Sequence, residues 1–143
     1  MSLKRKMLPI GVENFEKLRR NDMYYVDKTE MISDLIMNHG DANLFTRPRR
    51  FGKTLTMDML KTFFEIGQDA SLFDGLTISS HSDICEKYQN KYPVVFISLK
   101  GATGSTYEKA NSMIKQLVAE EYQRHSYLAD SDILDSIESE AYH

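Results

Sequence analysis

Leu44-Phe45-Thr46-Arg47-Pro48-Arg49-Arg50-Phe51-Gly52-Lys53-Thr54-Leu55 decides the fold: a short apolar run, a basic turn, then Gly-Lys-Thr opening an amphipathic segment. A phosphate-binding loop reads G-x-x-x-x-G-K-[ST], because backbone N–H groups wrap the phosphates, Lys reaches the β/γ-phosphates and the hydroxyl ligates Mg²⁺. The second half is intact as Gly52-Lys53-Thr54, whereas Arg47 stands where the first glycine belongs. Asn43 to Thr46 is apolar in the middle and bounded by turn residues, which predicts a buried parallel strand ended by Pro48. Beyond it Leu55, Met59, Leu60, Phe63 and Phe64 share one face of a helix from Lys53 to about Ile66.

Residue chemistry makes this turn an anion site. Gly52 would let the backbone approach a phosphate where a Cβ would intrude, and the helix N-terminus behind it supplies oriented donors. Lys53 adds a point charge and Thr54 a hydroxyl suited to Mg²⁺, while Arg49 and Arg50 would clamp further phosphate oxygens bidentately. The rival reading is a solvated basic turn, since a bare Gly-Lys-Thr is common by chance. Its placement after a buried-strand run and before an amphipathic helix favours phosphate binding.

At 143 residues the chain is one domain by length, and its 41% hydrophobic and 27% charged content is that of an ordinary globular protein. A net charge of −3 argues against a bulk polyanion binder, although Arg47, Arg49, Arg50 and Lys53 crowd one turn. Cys85 is the sole cysteine, so neither an intramolecular disulfide nor a cysteine metal cluster forms, and a cytoplasmic setting is expected. No apolar run approaches the ~20 residues of a membrane span, so no membrane partner is expected.

Residues 1–6 read as a disordered leader, and 7–26 as an irregular arm with one helical turn near Val12 to Arg19. Asp27-Lys28-Thr29-Glu30 has capping-box spacing, and Met31, Ile32, Leu35 and Ile36 predict a helix over about 28–38 stopped by His39-Gly40. Residues 67–80 read as a loop anchored by Leu72-Phe73 and Leu76-Thr77-Ile78. Ser80-His81-Ser82-Asp83 has capping-box spacing before a helix over 82–90. Val94-Val95-Phe96-Ile97-Ser98-Leu99 carries the strongest strand signal of the chain. Ser105-x-x-Glu108 opens a long amphipathic helix to about Arg124, marked by Tyr107, Ala110, Met113, Ile114, Leu117, Val118 and Tyr122. Residues 126–143 form an acidic tail in which Ile133, Leu134 and Ile137 would pack as a frayed helix.

The order of elements therefore predicts an α/β fold with parallel strands flanked by helices. Scattered His39, His81, His125 and His143 have no ligand spacing, and Cys85, Ser98 and Thr103 have no base arranged beside them. Asp130, Asp132, Asp135, Glu138 and Glu140 read as a solvated acidic face. None of these is a catalytic candidate.

Three runs, Tyr25-Val26-Asp27-Lys28-Thr29, Leu44 through Leu55, and Tyr92-Pro93-Val94-Val95-Phe96-Ile97-Ser98-Leu99-Lys100, closely resemble the AAA-ATPase-like family of bacterial and archaeal proteins. The resemblance spans approximately residues 7–125, which it marks as the N-terminal part of a P-loop ATPase-like domain. Arginine at the first P-loop glycine position is usual in that family, so Arg47 fits it. The resemblance implies ATP binding by Gly52, Lys53 and Thr54, with Arg47, Arg49, Arg50, Phe51 and Leu55 completing the loop and Thr54 toward Mg²⁺. It further implies a partial P-loop NTPase fold lacking the Walker B strand and later strands, and so a binder without hydrolysis. Family members typically carry a following PD-(D/E)XK nuclease-like domain. Alternative roles are therefore a nucleic-acid contact module of the parent protein or a non-binding interaction domain, and a homodimer would complete the open sheet.

Overall fold

In the computed structural model, residues 6–38, 40–48, 51–101 and 106–129 are described. Among them are five α-helices: α1 (Phe15–Arg20), α2 (Glu30–Asn38), α3 (Lys53–Phe64), α4 (Ser82–Tyr88) and α5 (Tyr107–Arg124). Single 3₁₀ turns occupy Ala70–Phe73, Thr77–Ser80, Leu99–Gly101 and Ser126–Leu128. The chain divides into two units, Met1–Val94 and Val95–His143. No helix among the described residues is long and apolar enough to cross a membrane.

In the first unit, the i, i+4 spacing on α3 buries Met59, Leu60 and Phe63 together with Phe15, Ile32, Leu72, Phe73, Leu76, Ile78 and Ile84. The Phe73 ring lies 5.0 Å from Phe15 and 5.2 Å from Phe63, the latter edge-on as aromatic quadrupoles prefer. The apolar anchors expected in the 67–80 loop are thus core residues, carried on its two 3₁₀ turns. Polar clamps fix the same contacts. Asp58 of α3 accepts from the Phe15 N–H at 2.6 Å, and Arg19 donates to the Leu72 and Asp74 carbonyls at 2.7 Å each. Charge-assisted bonds of this kind are the stronger sort, so α1, α3 and the first 3₁₀ turn hold one another in register.

Helix α3 ends without a glycine. Its last-turn carbonyls are taken by a segment some thirty residues on: Thr62 accepts from the Asn90 side-chain amide at 3.3 Å, Phe63 from the Asn90 N–H at 2.8 Å and Phe64 from the Tyr92 N–H at 2.9 Å. A second Asn90 amide bond, 3.0 Å, reaches the Glu65 carbonyl. Asn90 adopts a left-handed backbone, φ 56°, which asparagine tolerates better than most residues. Acceptors that would otherwise be orphaned at the helix end are satisfied in this way.

The expected α/β fold with parallel strands flanked by helices is not found. Among the described residues there is no strand or sheet, only an isolated parallel bridge between Glu65 and Tyr92. Residues 43–46 carry no regular structure and Leu44 is 88% exposed, while Val95 and Leu99 of the apolar run are 67% and 61% exposed. The reason is physical. Strand propensity describes fit to a pleated, half-covered surface, and an unpaired apolar run has no ladder to join. The helices were the legible part, yet α5 buries none of its residues although its apolar spacing is regular.

Two caps also differ. Ser80 donates to the Thr77 carbonyl instead of capping α4, whose N-cap His81 makes no side-chain cap bond. Thr106 caps α5, its hydroxyl accepting from the Lys109 N–H at 3.4 Å. Ser105, Arg49, Arg50, His39, Thr103, the acidic residues from Asp130 onward, Ile133, Leu134, Ile137 and the rest of the expected terminal helix lie outside the described residues.

Asn90→Ala should lower stability by about 1–3 kcal/mol, since it strips two carbonyl bonds and strains a left-handed residue. Asn90→Gly should lose less, because glycine keeps the backbone. Urea denaturation of both variants checks this, and equal losses would mean that the backbone conformation contributes nothing.

Candidate functional site

Gly52 is the residue from which the site is built. It precedes α3 with φ 74°, a left-handed conformation that glycine adopts freely, and its carbonyl accepts the first turn's bond from the Thr56 N–H at 2.9 Å. Lys53 then opens the helix, and its side chain folds back onto the preceding turn. The ammonium donates to the Arg47 carbonyl at 2.5 Å and to the Pro48 carbonyl at 3.2 Å.

Lys28 reaches the same turn from another part of the chain, donating to the Phe51 carbonyl at 3.3 Å. Its neighbours on either side fix it. One Asp27 oxygen accepts from the Thr29 N–H and hydroxyl at 2.9 and 2.7 Å, the other from the Thr77 N–H and hydroxyl at 2.7 and 2.8 Å. Thr29 is wholly buried, and its hydroxyl oxygen accepts from the Ile78 N–H at 3.1 Å. Asp27 is therefore an anchor to the second 3₁₀ turn, a role beyond the helix cap its spacing suggests. Burial works against the Asp27 charge, but the Thr29 and Thr77 bonds outweigh it and hold the carboxyl below its ordinary value. Burial also pushes the Tyr25 hydroxyl up to about 12, with the Lys28 N–H directed at it.

Beside this turn lies a cavity of about 610 Å³. Its lining mixes the cations Lys28, Arg47 and Lys53 with the carboxylates Glu30 and Asp34, the polar Asn38, Asn43 and Thr56, and the apolar Met31, Leu35, Phe45, Phe51 and Met57. Glu30 faces the His81 ring at 3.5 Å and accepts from the Ser33 hydroxyl at 3.3 Å. Among the described residues, no carboxylate pairs with Lys28, Arg47 or Lys53. Three cations against two carboxylates leave the lining with an excess of positive charge that suits an anion, and its apolar part suits a flat organic group attached to one.

Of the residues singled out in the sequence, Arg47, Phe51 and Lys53 come together on the cavity wall, with Gly52 shaping the turn beneath. Thr54 and Leu55 do not line it. Leu55 packs against the core cluster, and the Thr54 hydroxyl makes no hydrogen bond among the described residues. Arg49 and Arg50 lie outside the described residues. Sequence reasoning did not place Lys28 at this turn, because it sits inside a run that reads as a capping box and no local signal ties it to Phe51. Burial, then Asp83, pushes the Cys85 thiol up, away from the thiolate form, and the sulfur donates to the Ile78 carbonyl at 3.4 Å.

The sequence profile described as Predicted AAA-ATPase matches residues 9–142. The "Uncharacterized protein in vnfD 5'region" of Azotobacter chroococcum mcd 1 is 40% identical over 100 residues, covering 69% of this chain. The match takes in 18% of that protein, so the chain spans about a fifth of its relative's length. No solved structure matches.

Asp27→Ala should destabilise the fold by about 1–3 kcal/mol by leaving the Thr29 and Thr77 donors short of an acceptor. Because the folded carboxyl titrates below its unfolded value of roughly 3.9, the stability it supplies is present above that pH and is lost as pH falls through the folded value. Acid titrations of the melting temperature should therefore show a shallower acid limb in Asp27→Ala than in the wild type.

Proposed function

We propose, for a chain that belongs to the Predicted AAA-ATPase family, that the turn from Arg47 to Leu55 binds the phosphates of a nucleotide, ATP with Mg²⁺. The observation that carries this reading is the Gly52–Lys53 geometry: a left-handed glycine with a lysine behind it, whose ammonium rests on neutral loop carbonyls beside a cavity. Such an ammonium exchanges carbonyl oxygens for phosphate oxygens at a gain, since bonds to a charged acceptor are roughly twice as strong.

The residue chemistry supports the phosphate part of this reading. Gly52 keeps Cβ bulk away from the phosphates, Lys53 takes the β/γ oxygens, Arg47 adds charge, and Phe51 closes one wall. Thr54 does not line the cavity, but it follows Lys53 directly and carries a hydroxyl of the kind that suits Mg²⁺, which would neutralise phosphate charge when bound. Arg49 and Arg50 belong to the same basic run. The reading is one of binding, and the activity of any longer parent is a further proposal.

The test is thermal unfolding with and without Mg·ATP. A ligand at ~100 times its dissociation constant adds about 2.7 kcal/mol, so the wild type should melt several degrees higher and Lys53→Ala should not respond. Lys53→Ala should keep its ligand-free melting temperature, because the lost contacts are exposed. Gly52→Ala should abolish the response too, through strain at φ 74°. A wild type that does not respond at millimolar ATP overturns the reading.

A further inference from the structure

We propose that Lys28 is a second phosphate-holding cation of this site, so that the cavity takes the polyphosphate tail of a nucleotide with Lys28 and Lys53 each bonded to it. The proposal rests on the nucleotide-binding reading above and adds a residue from outside the Gly-Lys-Thr turn.

Four observations carry it. First, the backbone presents Lys28 to the cavity by fixing its neighbours elsewhere: Asp27 is bonded to Thr77, and buried Thr29 to Ile78. Second, Lys28 lines the same cavity as Arg47 and Lys53. Third, its bond to the Phe51 carbonyl, 3.3 Å, is longer than a good N–H···O bond and involves a neutral acceptor. Fourth, a Cβ on Gly52 would stand 3.5 Å from the Lys28 nitrogen, an ordinary contact distance, so the ammonium lies directly beside the glycine turn.

These facts make Lys28 an exchangeable cation. No carboxylate pairs with it among the described residues, so moving to a ligand leaves no acid uncompensated. A phosphate oxygen offers a shorter, charge-assisted bond in place of the Phe51 carbonyl. A Mg-bound triphosphate tail keeps negative charge beyond what one ammonium neutralises, and a second lysine from a separate segment meets that need. A lysine that merely ties the 27–29 segment to the turn would matter to stability and not to ligand affinity, which separates the two roles experimentally.

Isothermal titration calorimetry of Mg·ATP and of AMP against the wild-type chain, Lys28→Ala, Lys28→Gln and Lys28→Arg tests it, with ligand-free melting temperatures measured alongside. Lys28→Ala and Lys28→Gln should weaken Mg·ATP about tenfold or more, change AMP little, and melt as the wild type does; Lys28→Arg should recover most of the affinity. Unchanged ATP affinity in Lys28→Ala, with Lys53→Ala still impaired, overturns the role of Lys28 and leaves nucleotide binding standing. A fall in ligand-free melting temperature that tracks the affinity loss also overturns it, by showing a structural tie. A wild type that binds no nucleotide removes both proposals together.

Discussion

The Phe73 ring, wedged between Phe15 and Phe63, is the contact on which the first unit depends. It comes from a short 3₁₀ turn in what reads as a loop, and it joins α1 to α3 without either helix being long. Helices of six and twelve residues are too short to persist by propensity alone, so their stability comes from this shared burial. Phe15, Phe63 and Phe73 are all essentially inaccessible to solvent, and a change at any of them would open a cavity touching the others.

Helix α3 carries that core to the site. Its buried face is Met59, Leu60 and Phe63, its C-terminal carbonyls are taken by Asn90 and Tyr92, and its first residue is Lys53. Rigid placement of one end is thereby transmitted to the other over a single helix. The cavity beside the Gly52 turn is walled by α2 and α3, so the same packing that builds the core sets its width.

How much of this was legible in the sequence follows from the range of each signal. A helix writes its period into consecutive residues, and the spacing of Ile32, Leu35, Met59 and Phe63 marks α2 and α3 to within about two residues at each end. A strand needs a partner that the local sequence does not contain. Val95, Ile97 and Leu99 have strand composition and stand exposed, with no ladder among the described residues. The placement of Gly52 and Lys53 at the start of α3 was legible because that turn is local. Lys28 was not, since its approach to Phe51 depends on Asp27 meeting Thr77, residues 50 positions apart.

That separation also bears on the order in which the molecule assembles. Asp27 and Thr29 must close a loop of about fifty residues before they meet Thr77 and Ile78, and the entropy of closing long loops weighs against early formation. The Gly52–Lys53 turn is bonded to residues close in sequence, whereas the Lys28 wall of the cavity depends on that distant closure. The two walls of the cavity thus differ in the length of chain that must close to place them.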